Sequence, residues 1–260
     1  MKLYRILALA LRTLKLTFRG LDPLVDFFYW PLFDIVVWGF TSRWIQTQTH
    51  AHSFVILIAL VLWQAAYRSN LDITFNLLSE IWSRNIVNLF STPLSLGEWI
   101  ISAMGIGVFN TLISVSFGAC AIWFLYGVSL FQVGWLLVPF FFSLMLSGWA
   151  IGFFTASTLI YWGQSVQKLV WVMGWFFVPF SAVYYPLQSL PAWVQKFSYC
   201  LPMTYIFEGL RSYVQTGRIP THYLLMSYAL NIIYIVAALV WFNFMFNRSR
   251  VKGLARLEND

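Results

Sequence analysis

This sequence has little formal charge. Asp, Glu, Lys and Arg together make up 10% of 260 residues, against about 25% in an ordinary soluble domain. So few charges cannot cover a water-facing surface, while 60% hydrophobic residues, with 14 Trp, 13 Tyr and 25 Phe, exceed what one aqueous core could hide. The chain belongs in lipid. Cysteine is scarcer still: Cys120 and Cys200 are too few for a disulfide framework, and their spacing matches no zinc or redox motif. No Gly-Lys dipeptide occurs, which excludes a G-x-x-x-x-G-K-[ST] phosphate loop, so this chain is not expected to hydrolyse ATP by itself. G-x-S-x-G, H-E-x-x-H and Cys/His clusters are missing as well, and no catalytic residue or metal site is expected. The first 20 residues lack the apolar core and small-residue cleavage site of a secretory signal, so they read as part of the mature protein.

What is present is long charge-free runs. A helix needs about 20 mostly apolar residues to cross the hydrocarbon. Between Glu98 and Lys168 lie 69 residues without a formal charge, enough for two spans split by a turn from Tyr126-Gly127 to Gly134. Residues 169–195 and 219–247 give two more. Residues 54–67, running on to about Leu71, give another, and 24–40 a weaker one, because it contains Asp26 and Asp34. The expectation is an all-α polytopic protein of six spans: an interfacial helix over 1–20, one transmembrane domain over 21–250 and a tail over 251–260. Six spans put both termini on one side. Placing them in the cytoplasm leaves Lys2, Arg5, Arg12, Lys15, Arg19, Arg68, Arg84, Lys168, Arg248, Arg250, Lys252 and Arg256 inside, and only Arg43, Lys196, Arg211 and Arg218 outside. That asymmetry orients a membrane protein, and it accounts for the net charge of +7 without nucleic acid.

Three stretches do not span. In residues 1–20 the basic side chains fall on one side of a helical wheel and Leu3, Ile6, Leu7, Ala10, Leu14 and Phe18 on the other, so a helix lying in the headgroup plane with its basic face toward anionic lipid is expected. Residues 74–93 read as a short inner helix stopped by Pro93, either a connector or a docking surface for a cytoplasmic partner. Residues 186–213 hold Pro191 and Pro202 where first-turn prolines start helices, giving two outer helices of about ten residues. Trp193 and Tyr205 suit the interface, and Glu208 and Arg211 can pair at i, i+3.

Intramembrane carboxylates are costly and point to function by default. Asp34 lies near the middle of the first span and Asp26 two turns earlier, and the bland alternative is a hydrogen bond from Asp34 to Gln64. Asp72 follows Arg68 by four at the expected inner end of the second span. Gly148 and Gly152 form a G-x-x-x-G, more often plain packing than a dimer face.

The outer segment also carries a likeness. Tyr185-Pro186-Leu187, Leu190-Pro191-Ala192-Trp193, Pro202-Met203-Thr204, Glu208 and Arg211 resemble, in order and placement, the C-terminal signature of type-2 ABC exporter permeases. Glu80, Arg84 and Thr92-Pro93 resemble that family's cytoplasmic segment. Ala182 stands where a Gly is common, Met203 where Leu is usual, and Asn85 and Asn88 replace a Gly and a Glu. The resemblance implies a homodimeric half-transporter in a bacterial inner membrane, exporting an amphipathic, lipid-linked or hydrophobic substrate. It implies two copies of a separate ATPase subunit that bind ATP and Mg and dock on 74–93, with Glu80 and Arg84 as charged contacts, Trp82 and Leu89 as apolar anchors, and Thr92 and Pro93 closing the segment. Tyr185, Pro186, Pro191, Trp193, Pro202, Tyr205, Glu208 and Arg211 would form an outer lid. The competing expectations are an integral membrane enzyme acting on lipid and a secondary carrier.

Overall fold

A computed structural model describes residues 2–17, 25–49, 54–254 and 257. Among them every regular element is helical. Helix α1 spans Leu3–Thr17; a π-helical turn at Val25–Tyr29 leads into α2, Trp30–Thr49; α3 spans Phe54–Trp82 and α4 Ile86–Ser91. Helix α5 covers Leu96–Tyr126, α6 Leu137–Trp162 after a 3-10 turn at Leu130–Leu136, and α7 Leu169–Phe176. The chain finishes with α8 at Ala192–Ser198, α9 at Pro202–Thr216 and α10 at Thr221–Lys252.

Local chemistry sets these limits. Ser95 caps α5, accepting from the Glu98 amide at 3.2 Å while Glu98 Oε2 accepts from the Ser95 amide at 2.9 Å, so two otherwise orphaned donors are satisfied reciprocally. At its other end Gly127 takes the left-handed conformation, φ 67°, that closes a helix, and the chain turns where expected.

Four helical stretches are long and apolar enough to cross a membrane: Phe54–Trp82, Leu96–Tyr126, Leu130–Val166 and Thr221–Lys252. The other two expected spans rest on weaker elements. Helix α2 is 20 residues but carries Asp34 and Arg43 among several polar residues, and the apolar Leu169–Phe180 is shorter than a bilayer. The second expected span is corrected in the opposite direction. It does not end near Leu71 but continues unbroken to Trp82, because its charges are paired inside the bundle and leave the backbone ladder intact.

Helix α3 is the axis, buried on nearly every side, with α2, α5, α6 and α7 around it; α10 packs on α6 and α9 and leaves most of its surface open. Close approach of α3 and α6 depends on the G-x-x-x-G. A Cβ on Gly148 would sit 2.3 Å from the Ala66 carbonyl oxygen, and one on Gly152 would sit 3.0 Å from that of Asn70. The motif therefore packs within the chain.

Both described termini lie at the same end of the bundle. The Lys2 amide donates to Glu98 at the start of α5, Ser249 Oγ donates to the Ile160 carbonyl at 2.7 Å, and Phe90 of α4 meets Phe246 of α10 edge-on at 4.7 Å. Helix α1 lies across this end. Arg5 and Arg12 turn to Glu98 and Glu80, which need counter-charge, Ile6, Ala10 and Leu14 are half-buried, and Leu3, Leu7, Leu11 and Lys15 stay exposed.

Candidate functional site

Three regions gather the polar chemistry. The first is the corner at the terminus-bearing end. Residues 74–93 do not form one helix: the first nine belong to α3, the chain breaks at Ser83 to Asn85 with Arg84 at φ 51°, and α4 supplies a single short helix that ends at the extended Thr92, just before Pro93. Glu80 is corrected from a free docking charge to an internal one. Its carboxylate is almost fully buried, takes both Arg12 guanidinium nitrogens, Nη2 at 3.2 Å, and accepts from Asn85 Nδ2 at 2.6 Å. Leu89 is buried too, so it anchors α4 from within. What this corner presents outward is Trp82, Arg84, Asn88, Ser91, Thr92 and Pro93. Trp82 Nε1 donates to Gln167 Oε1 at 3.0 Å, and its ring lies near-parallel to Trp171 at 6.5 Å, so the connection between α6 and α7 is tied to the same surface. The carbonyl of Pro93 accepts from Arg5, and between α1 and α4 lies a cavity of about 540 Å³ walled by Tyr4, Arg5, Asn88 and Leu89.

The second region is the opposite end. Its two expected short helices exist, but with 7 and 15 residues instead of ten each, since only the second has an amphipathic run long enough to extend to the Gly217 cap. Pro191 precedes α8 as its cap and Pro202 opens α9. The Glu208 and Arg211 side chains pair at 2.9 Å, and both also hold the preceding loop. Glu208 Oε1 accepts from the Leu187 amide at 2.9 Å, and Arg211 Nη2 donates to the carbonyls of Ala182 and Val183, the latter at 2.9 Å. Burial pulls the Arg211 guanidinium below its ordinary range and the Glu208 charge opposes this. Ala182 sits at φ 57°, a conformation glycine adopts without strain, so the Arg211 contacts fall where the backbone is least at ease. Tyr185 donates to the Pro179 carbonyl and Tyr205 to that of Tyr199, while Trp193 is 72% exposed and Pro186 leads the chain into the turn at Leu187 in an extended conformation.

The third region was not among the expected site residues. Arg68 and Asp72 are both buried at the centre of α3, joined at 3.2 Å. Asn110 of α5 donates to Asp72 Oδ1 at 3.1 Å, and the Phe27 ring lies 3.9 Å under the Arg68 guanidinium. Around them, Asp72 Oδ2, Arg68 Nε, Asn110 Oδ1, Asn70 and Trp149 Nε1 are buried without a hydrogen-bond partner. Asp26 is next in sequence to Phe27, the ring that lies against Arg68. No hydrogen bond joins Asp34 to Gln64 among the described residues. The signal for this cluster was in the sequence, as an Arg and an Asp one helical turn apart. Ending the span at the first charge concealed it.

No family model matches the chain, and no curated protein matches its sequence.

Proposed function

We propose that this chain is the membrane-spanning permease subunit of an ATP-driven exporter, working as a homodimer with two copies of a separate ATPase subunit. The observation that carries the reading is the pairing of two end structures through one axial helix. At the terminus-bearing end, α3 turns through Arg84 into a short helix with an exposed aromatic and polar surface; at the other, short helices are stapled back by Glu208 and Arg211. Such a surface, joined directly to the end of a central helix, suits the transfer of motion from a docked ATPase, which would supply the ATP and Mg sites. The sequence likeness of these same two segments to type-2 exporter permeases supports it.

On this reading the chain crosses a bacterial inner membrane six times, with α2 and the 169–195 segment completing the four strong spans, and both termini lie in the cytoplasm. The open faces suit an amphipathic, lipid-linked or hydrophobic substrate. The outward residues Trp82, Arg84, Thr92 and Pro93 meet the ATPase, whereas Glu80 and Leu89 hold the corner in shape.

The test is co-purification of the tagged chain from its native membrane with an ATP-hydrolysing subunit. Retained partner with Arg84→Glu, combined with lost stimulation of hydrolysis, is the expected coupling defect. Purification of the wild-type chain without any nucleotide-hydrolysing partner, from membranes that support its activity, would remove the proposal. A cysteine introduced at Asn259 that labels from outside intact cells would overturn the orientation.

A further inference from the structure

The basic residues at the end of α10 have no role in the reading above. The ion pairs of the bundle use Arg5, Arg12, Arg68 and Arg211, and among the described residues no carboxylate lies within pairing distance of Arg248, Arg250 or Lys252. Arg248 and Lys252 continue a stripe at four-residue spacing that begins with the apolar Val240 and Phe244. Along the helix axis that stripe runs from hydrocarbon-loving to cationic.

The stripe lines an open groove of about 550 Å³ together with the exposed Asn243, Asn247 and Val251 on the same helix and Tyr161 at the end of α6. The stripe is held in place. Ser249 Oγ, fully buried, donates to the Ile160 carbonyl at 2.7 Å and locks the two helices in register beside the groove. Lys252 Nζ donates to the Tyr161 hydroxyl and lies 4.2 Å from that ring's centre, while the Arg248 guanidinium lies 4.8 Å from the Phe244 ring. The two cations are thus kept at the mouth of the groove instead of swinging free in solvent.

We infer that this groove binds one anionic phospholipid from the leaflet at the terminus-bearing end, its phosphate between Arg248 and Lys252 and an acyl chain along Phe244 and Val240. The order of groups in the groove matches the order in a lipid: apolar wall, then amides that can donate to ester carbonyls, then two cations at headgroup level. A zwitterionic headgroup would bring its own cation against the unpaired pair. A free phosphate would leave the apolar wall unused. This inference needs only that α10 crosses a membrane and stands apart from the transport reading.

The test uses the full-length chain, purified and delipidated in detergent, titrated with phosphatidylglycerol or phosphatidylcholine and followed by native mass spectrometry. One phosphatidylglycerol per chain, bound well ahead of phosphatidylcholine, is expected. The double variant R248Q/K252Q should weaken it about thirtyfold, two surface charges at their usual worth, and R248K should retain it. A second readout covers a misfolded variant: phosphatidylglycerol, and not phosphatidylcholine, should raise the melting temperature of the unaltered protein. Equal affinity for the two lipids, unchanged binding by a folded R248Q/K252Q, or complete displacement by inorganic phosphate would each overturn the assignment.

Discussion

Two of the polar clusters among the described residues sit between the long helices, and they are built on opposite principles. Between α6 and α10, Ser143 and Ser227 share a hydrogen bond at 2.7 Å, Ser147 donates to Asn231 Oδ1 at 2.7 Å, and Asn231 Nδ2 returns to the Ser143 carbonyl at 2.9 Å. Ser227 also reaches the Pro202 carbonyl at 2.7 Å, so α9 is drawn in. Every group there is neutral, and none of these side-chain atoms is left without a partner. Between α3, α5 and α6, by contrast, Arg68, Asp72 and Asn110 combine full charges with several unpartnered atoms. Small neutral groups can close their hydrogen bonds among themselves and serve as glue between helices. A buried ion pair is poor glue, since its desolvation cost rivals its attraction.

The largest effect that would sharpen this contrast is on the charged cluster. Asp72→Leu should strand the Arg68 cation and lower unfolding stability by about 3–5 kcal/mol, and Arg68→Met should do the same to the carboxylate. The double variant Arg68→Met/Asp72→Leu should recover most of the loss in thermal melting. Additive losses would mean that the two charges act separately and that the contrast drawn here is mistaken. Next comes the neutral cluster, where Asn231→Ala should cost about 1–3 kcal/mol by leaving buried hydroxyls short of partners, without the rescue by a second apolar substitution that the ion pair allows. On the proposed exporter reading, a smaller effect on stability but a large one on transport is expected at the Glu208–Arg211 staple. Glu208→Ala or Arg211→Ala should release the 182–187 loop and impair export while ATPase assembly persists, and the double variant should be less harmful than the two singles combined. Full export by both single variants would show that the loop is held some other way. The smallest structural effect belongs to Arg84→Glu, an exposed change that should leave the melting temperature unchanged and, on the proposed exporter reading, alter only coupling to the ATPase.

Much of the frame was legible because lipid writes itself into sequence as charge-free length. The turn at Gly127, the helix starts at Pro191 and Pro202, and the Glu208 to Arg211 pair were all readable from residue type and spacing. What was hidden concerns pairing across the fold. Asp72 looked like the end of a span, because only the structure shows that Asn110, 38 residues on, lies beside it. Glu80 looked available until Arg12, 68 residues earlier, turned out to occupy it, and the face that α1 turns to the bundle was decided by the same contact. A helical wheel knows the faces of one helix and nothing of where the opposite charge will be.

The close contact of α3 with α6 sets how this molecule can deform. At Gly148 the neighbouring carbonyl occupies the place where a side chain would stand, so neither helix has a compressible layer against which to slide. The backbone leaves helical geometry outside this contact: Arg84 beyond one end of α3, Gly163 at the end of α6 and Gly134 before its start all have positive φ. On the proposed exporter reading, a push at the α3–α4 corner reaches α6 directly through the contact at Gly148 and Gly152.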